Sequence, residues 1–376
     1  MFRPLRPSLE SLGSGLAAVG LCSTDGLGRS YVARVQGQAI ILLPAARSAR
    51  LTARTVFGLS RSELHFPIRG ITVPSEPLST LEEEASEGIG TRVTVAGLRF
   101  GAGGLGKLTV GFVAQQRPLA FAKFPLTGRA AGSLAHEVET IDFLDRFDRL
   151  SCHLPDVISG LELGGTEGAL FSSGPVGRVR WPSEEVTSFL STLHELTARR
   201  LTIRASGLID SWLEGLETRR ALLGSTRSST LEDAIRLVQG AIGQVPIEHT
   251  VAHGDFTRWN LRKGAGGLFV FDWEASSRTA LPYHDLFHFF AADSALLHRP
   301  SPISYFNARR IRAIAKFVSP EWIPLQLELY LAYLVQTTLW YGEVRDWDSQ
   351  AKPGRFWRFL WAELAQANKA TRLKGG

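Results

Sequence analysis

The chain has 376 residues, 44% of them apolar and 21% charged, which is ordinary for a globular protein and too apolar for a disordered one; no apolar run reaches the length needed to cross a bilayer. The net charge of +6 is unevenly placed: residues 1–70 hold nine Arg and no Lys against three acids, residues 295–376 hold twelve basic residues against six acids, and the middle is net acidic. Neither end is the dense basic stripe with interleaved aromatics that nucleic acid requires, so no nucleic-acid partner is expected.

The two cysteines, Cys22 and Cys152, lack metal-ligand spacing and cannot form a disulfide framework, which suits a reducing, cytoplasmic location. Residues 1 to about 28 are rich in Gly, Ser and Leu without a long period. SYVARV and AIILLP, separated by QGQ, predict a β-hairpin, and SARLTARTVFGLS, with Leu51, Val56 and Leu59, predicts a short helix. LHFPIRGITVPSEP reads as extended and broken by prolines, and EEEAS as an acidic turn of the linker type. Residues 1–90 are thus expected to be an accessory α/β extension. Its arginine-rich arm would be a solvated face, or would contact an anionic partner or the body of the protein itself.

From residue 91 the pattern changes. TRVTVAGLRF and KLTVGFVAQ read as two strands flanking GAGGLG, which spells G-x-G-x-x-G through Gly101, Gly103 and Gly106. A dinucleotide-binding fingerprint opens a helix, whereas LTVGFV is β-branched and strand-like, so a strand-loop-strand is expected. Glycines in such a loop let backbone N–H groups approach phosphates without Cβ obstruction. In the next strand, LAFAKF, alternation puts Leu119, Phe121 and Lys123 on one face. A lysine there either reaches water at a strand edge or has a charged partner. SLAHEVETIDFLDRF supplies a candidate for the second case: with Ser133 as N-cap, Leu134, Val138, Ile141 and Leu144 form an apolar stripe. At about 100° per residue, Glu137 falls within that stripe and Glu139 nearly opposite. A carboxylate among leucines is costly unless paired, so Glu137 is the better partner for Lys123.

Short strands and a Gly/Pro-rich connection are expected over about 155–182, then a strong helix in SEEVTSFLSTLHELTARR. Ser183 would cap it, and Arg199 and Arg200 would suit its C-terminal end; His194 reads as a packed, hydrogen-bonded histidine. Residues 205–247 look helical with a polar break at GSTRSST. Helical sequence with concentrated aromatics (Trp340, Tyr341, Trp347, Phe356, Trp357, Phe359 and Trp361) follows Phe290, and aromatics at helical spacing more often fill core than bind ligand.

The most informative stretch is VAHGDFTRWNLRKGAGGLFVFDWEASSRTALPYHDLFHFF, residues 251–290. His253 and Gly254 turn the chain so that Asp255 stands in a loop; Asn260 follows five positions later, and a glycine-rich turn leads into LFVF, an apolar run of strand length with Asp272 at its end. Asp and Asn often merely build turns, but a carboxylate plus an Asn/Asp pair in this order can orient a hydroxyl and hold Mg²⁺, the two requirements of phosphoryl transfer.

H-G-D-x-x-x-x-N followed by a strand ending in Asp resembles the aminoglycoside phosphotransferase and choline kinase family. The resemblance covers about residues 90–290 and implies an α+β, protein-kinase-like two-lobe fold: a small β-rich N-lobe over 91–175 and a mostly helical C-lobe over 176–376, preceded by the extra extension. It implies that Asp255 is the catalytic base and that Asn260 and Asp272 bind Mg²⁺. By the same resemblance Lys123 contacts the α- and β-phosphates of ATP, with GTP an open alternative, Glu137 positions Lys123, and Gly101, Gly103 and Gly106 cover the phosphates. Asp285 matches a structural aspartate of that family. The chain departs from the pattern in two places: Asp272-Trp273-Glu274 stands where protein kinases carry Asp-Phe-Gly, and Arg258 stands where many relatives carry proline. Glu274 is either a further metal or acceptor contact or a supporting carboxylate.

The expected activity is therefore ATP- and Mg²⁺-dependent phosphorylation of a small-molecule hydroxyl. The basic C-terminal region favours a neutral or anionic sugar, polyol or glycan precursor over a polycationic aminoglycoside. An antibiotic kinase and a catalytically silent nucleotide-binding scaffold are the alternatives.

Overall fold

The structure, a computed structural model, describes residues 16–17, 21, 29–36, 39–44, 65–101, 106–179, 184–296, 319–344 and 352–375. The helix expected over 48–60, Gly103, the capping Ser183, Cys22 and Trp347 lie outside the described residues. The chain divides into two compact units. One takes residues up to Arg146 together with Leu154–Gly177 and Lys263–Ala265, and the other takes Phe147–His153, Arg178–Arg262 and the chain from Gly266 onward.

The first unit is built on an eight-stranded antiparallel sheet. Its strands are β1 (Arg29–Gln36), β2 (Ala39–Pro44), β3 (His65–Val73), β4 (Thr94–Phe100), β5 (Lys107–Ala114), β6 (Arg117–Pro125), β7 (Val157–Leu163) and β8 (Thr166–Ser172), in the order β3-β1-β2-β4-β5-β6-β8-β7. The expected hairpin forms, with Gln36 opposite Ala39, and β2 pairs with β4, so the strands of residues 29–73 continue the same sheet as the glycine-loop strands. Period-2 alternation divides β6 between two faces. Ala120, Ala122 and Phe124 join the main core with Leu98, Phe100, Val110 and Phe112. Phe121 joins a smaller cluster of Ile41, Leu43, Ala96 and Val113 on the face that also carries Lys123.

Helix α1 (Ser75–Ile89) corrects the linker reading of EEEAS. Leu78, Leu81 and Ala85 recur at helical spacing and are fully buried, each leucine contributing about 1.5–3 kcal/mol. Pro77 falls in the first turn, where a missing N–H breaks no helical bond, and Gly90 ends the helix at φ +75°. Of the three consecutive glutamates, Glu82 is structural: it accepts from Arg29 Nη2 at 2.7 Å and from the Val95 N–H at 2.6 Å, tying the helix to β1 and β4.

Helix α2 (Gly128–Asp145) starts earlier than expected. Thr127, not Ser133, is the N-cap, its hydroxyl accepting from the Ala130 N–H at 3.2 Å. The helix buries Ala130, Leu134, Glu137, Thr140, Ile141 and Leu144. A short turn, α3 (Asp148–Ser151), and a two-residue strand, β9 (Gly177–Arg178), follow in sequence near the unit boundaries.

In the second unit, α4 (Glu184–Thr197) buries Val186, Phe189, Leu190, Leu193, His194 and Thr197. Arg199 and Arg200 do not cap it; they begin β10 (Arg199–Leu201), which pairs with β11 (Ile247–Ala252). His194 is the packed histidine expected, its Nε2 lying 2.9 Å from Glu248 Oε2. Helix α5 (Leu208–Ile242) runs through the expected polar break, which shrinks to one non-helical residue, Gly224 (φ 71°, ψ 171°). Then come β12 (Leu261–Gly264), β13 (Gly267–Val270), β14 (Ser277–Ala280), α6 (His284–Leu296), α7 (Gln326–Val344) and α8 (Lys352–Gly375). Helix α5 packs on α7 and α8, and α6 on the same pair. Trp273, Tyr330, Tyr333, Phe189, Phe256, Phe287 and Phe289 are fully buried there. Among the described residues, no helix is long and apolar enough to cross a membrane.

Candidate active site

The first unit holds the Lys123–Glu137 pair. Lys123 Nζ lies 2.7 Å from both Oε1 and Oε2 of Glu137, and the side chains are 13% and 1% exposed. Alternation along β6 puts Lys123 on the face opposite Ala122 and Phe124, and the 3.6-residue period of α2 puts Glu137 among its apolar neighbours. The ammonium also sits 5.4 Å from the centre of the Phe171 ring. Gly101 and Gly106 flank residues 102–105, which are not described; the Gly101 N–H donates to Lys107 O at 2.8 Å, and among the described residues no atom lies within 4 Å of where a Cβ on Gly106 would stand.

The second unit brings Asp255, Asn260 and the approach to Asp272 together through a lattice of short bonds. At the end of β11 the chain turns at Gly254, φ +78°, where a Cβ would come within 2.0 Å of Ala275 O. That oxygen is backbone and cannot step aside. Gly254→Ala is accordingly expected to lose at least about 2 kcal/mol of stability, read as a lower denaturant midpoint; an unchanged midpoint would contradict the geometry. Asp285, the first-turn acid of α6, accepts from the His253 N–H at 2.7 Å and the Gly254 N–H at 3.0 Å. Burial pushes its carboxyl up, and those two bonds oppose the push.

His253 locks the loop to the strand end. Its Nε2 donates to Phe271 O at 3.0 Å while its Nδ1 accepts from the Asp255 N–H at 3.2 Å, which fixes the neutral tautomer with the proton on Nε2. Trp273 lies 4.7 Å from the His253 ring, fully buried, its Nε1–H donating to Val270 O at 3.0 Å. The large indole at that position is thus a packing element under the loop. Asn260 Nδ2 donates to both the backbone oxygen (2.9 Å) and Oδ2 (3.1 Å) of Asp255, so Oδ1 is the atom Asn260 offers a cation. The Phe271 N–H donates to Asn260 O at 3.2 Å, which brings Asp272 next to Asn260 along the backbone. Asp272 itself is left-handed, φ 70° and ψ 56°. Non-glycine residues pay for that conformation with strain, and such strain concentrates at functional positions.

Several supporting groups were not legible as such in the sequence. Arg258 pairs with the buried Asp293 of α6, Nε to Oδ1 at 2.8 Å with a second, closer contact from Nη2 to Oδ2. The ion pair ties the loop to α6. Arg262 Nη1 donates to Trp259 O (2.8 Å) and Leu261 O (2.9 Å), bracketing Asn260, and its guanidinium lies 4.9 Å from the Phe271 ring; burial, with Arg178 nearby, holds it below the usual arginine range. His288 Nε2 lies 3.2 Å from Asp255 Oδ1, and Tyr341 OH reaches the same oxygen at 3.5 Å. The i, i+3 spacing of Asp285 and His288 is the signal that could have linked them to one loop. Tyr341, Phe356 and Trp357 of the C-terminal aromatic cluster are buried.

A β-sheet unit that carries a paired lysine and a helical unit that carries an Asp/Asn/Asp loop are the parts of a protein-kinase-like fold. No protein-family model matches the sequence, and no curated protein matches it. Solved structures do. A thermostable mutant of aminoglycoside phosphotransferase APH(4)-Ia, in ternary complex with ADP and hygromycin B, aligns at a TM-score of 0.51 and 12% identity over 77% of this chain and 98% of that one. A Thermobifida fusca YX-ER1 protein provisionally described as a fructosamine-3-kinase aligns at 0.53 and 17% identity, with the same coverage. The chain has the fold those structures share: α+β and protein-kinase-like, with a β-sheet lobe and a helical lobe. At such identities the likeness concerns the fold.

Proposed function

We propose that the protein is a phosphotransferase that moves the γ-phosphoryl group of ATP to a hydroxyl of a small molecule, a sugar, polyol or glycan precursor. The observation that carries this reading is the carboxylate of Asp255, held at one oxygen by Asn260 and at the other by His288, on a loop pinned by Asp285 and His253. A carboxylate oriented this thoroughly on a loop is suited to accepting a proton, and a turn-forming aspartate would need no such support.

Asp255 receives the hydrogen bond of the acceptor hydroxyl and takes its proton as the oxygen bonds to the γ-phosphorus; the bond to the β-γ bridging oxygen breaks and ADP departs. Lys123 holds the α- and β-phosphates, aimed by Glu137, and glycine at positions 101, 103 and 106 puts no Cβ in the way of backbone N–H groups approaching them. The donor set of Asn260 Oδ1 and the Asp272 carboxylate is all oxygen, which fits Mg²⁺ bound through one or two protein groups with phosphates and water. When bound, the metal neutralises the charge that builds on the phosphates. Arg258 neutralises Asp293 beside the loop, which adds weight to a neutral or anionic acceptor over a polycation.

The test is ADP release from Mg-ATP across sugars, polyols, amino alcohols and aminoglycosides, with GTP in parallel. Release that requires a sugar or polyol supports the reading. Release only with an aminoglycoside would assign the protein to antibiotic inactivation, and tight Mg-ATP binding with no acceptor-dependent release would assign it to a silent scaffold.

A further inference from the structure

Helix α6 touches the candidate catalytic loop at three points. Asp285 takes the backbone N–H groups of His253 and Gly254, Asp293 takes the guanidinium of Arg258, and His288 takes the side chain of Asp255. The first two fix the path of the loop. Only the third bears on the direction of the carboxylate that would do the chemistry.

The environment of His288 is built for one orientation. The side chain is fully buried. Its ring lies 6.3 Å from Tyr341 at an interplanar angle of 22°, 5.4 Å from Phe356 at 69° and 6.1 Å from Tyr333 at 82°. These rings leave the imidazole little freedom to turn. An ionised carboxylate can only accept, so the bond to Asp255 Oδ1 requires a proton on Nε2 of His288. Nδ1 lies 3.3 Å from the Tyr333 hydroxyl, which can donate to it and hold that tautomer, as an outer partner does for a histidine bound to metal. Asp255 is then gripped at Oδ1 from α6 and at Oδ2 from within its own loop by Asn260.

We propose that His288 is a positioning residue: with Tyr333 behind it, it sets the rotation of the Asp255 carboxylate and so the line along which an acceptor hydroxyl must approach. This rests on the phosphotransferase reading above. It assigns His288 no contact with nucleotide or metal. Losing it should therefore slow the chemical step and leave nucleotide binding intact, because a small misplacement of a catalytic group costs up to about 10²-fold in rate.

The experiment compares wild type, His288→Phe, His288→Gln and Tyr333→Phe in the full chain, with Mg-ATP and whichever acceptor of the panel gives the fastest release. Rates are expressed per Mg-ATP-binding site from calorimetry, so that a partly unfolded variant is not counted as a slow one. His288→Phe keeps a ring in the aromatic cage and removes the donor; kcat is expected to fall about 10- to 100-fold with KM for ATP within about twofold of wild type. His288→Gln places an N–H near the former Nε2 and is expected to recover most of the rate, and Tyr333→Phe to lose about threefold. A kcat for His288→Phe within about twofold of wild type, or a Gln variant no faster than Phe, would overturn the proposal, since a purely structural histidine behaves that way. A wild type that binds Mg-ATP yet phosphorylates nothing would overturn the functional reading and this inference with it.

Discussion

Replacing Lys123 by Met is expected to cost about 3 kcal/mol of stability, and its origin is the carboxylate left behind. Glu137 is buried on α2 with both oxygens 2.7 Å from the lysine nitrogen, and removing the ammonium strands an uncompensated charge in a low-dielectric setting. In a unit of this size that corresponds to a melting temperature lower by about 6–12 °C. Adding Glu137→Met to the same chain should restore most of the loss, because removing both members of a buried pair is close to neutral. Calorimetric melting of the two single variants and the double variant checks this through a double-mutant cycle. Equal losses that simply add would show that the pair contributes no coupling.

Asp255→Ala has the largest expected effect on activity. Loss of a general base lowers rate by about 10²- to 10⁴-fold, and the fold should survive, since the loop is pinned through the backbone of His253 and Gly254 and the side chain of Arg258, none of which involves the Asp255 carboxylate. The expected result is kcat reduced in that range with Mg-ATP affinity retained, measured by ADP release and calorimetry. A variant with wild-type kcat would remove Asp255 from the chemistry.

What could be read from the sequence was whatever depends on local period and order. Glu137 rather than Glu139 followed from the helical angle, the β1–β2 hairpin from two apolar runs about QGQ, and the strand-loop-strand about Gly101 from β-branched residues after the glycines. Helix α1 was missed because Pro77 and three consecutive glutamates mask a Leu78, Leu81, Ala85 stripe, and because the value of Glu82 lies in Arg29 and Val95, far away in sequence. The start of α2 was misread because Gly128 and Gly132 have poor intrinsic propensity, and a Thr127 cap with tertiary packing overrides it. The membership of β1–β3 in the same sheet as the glycine-loop strands depends on the β2–β4 pairing, which no local pattern encodes. At the site, the order of Asp255, Asn260 and Asp272 was legible and the support was not. His288, Asp293 and Tyr341 reach the loop from helices 33 to 86 residues away in sequence, and Tyr333 stands behind His288.

The central claim is that a phosphoryl group leaves ATP and arrives on the hydroxyl oxygen of a small molecule. Following the label of γ-³²P-ATP, with Mg²⁺, into the sugar and polyol panel tests it most directly, with wild type beside Asp272→Ala. The account predicts labelled acceptor from the wild type and almost none from the variant. Label that stays on ATP or appears only as inorganic phosphate with every acceptor, from a protein that binds Mg-ATP, would contradict it.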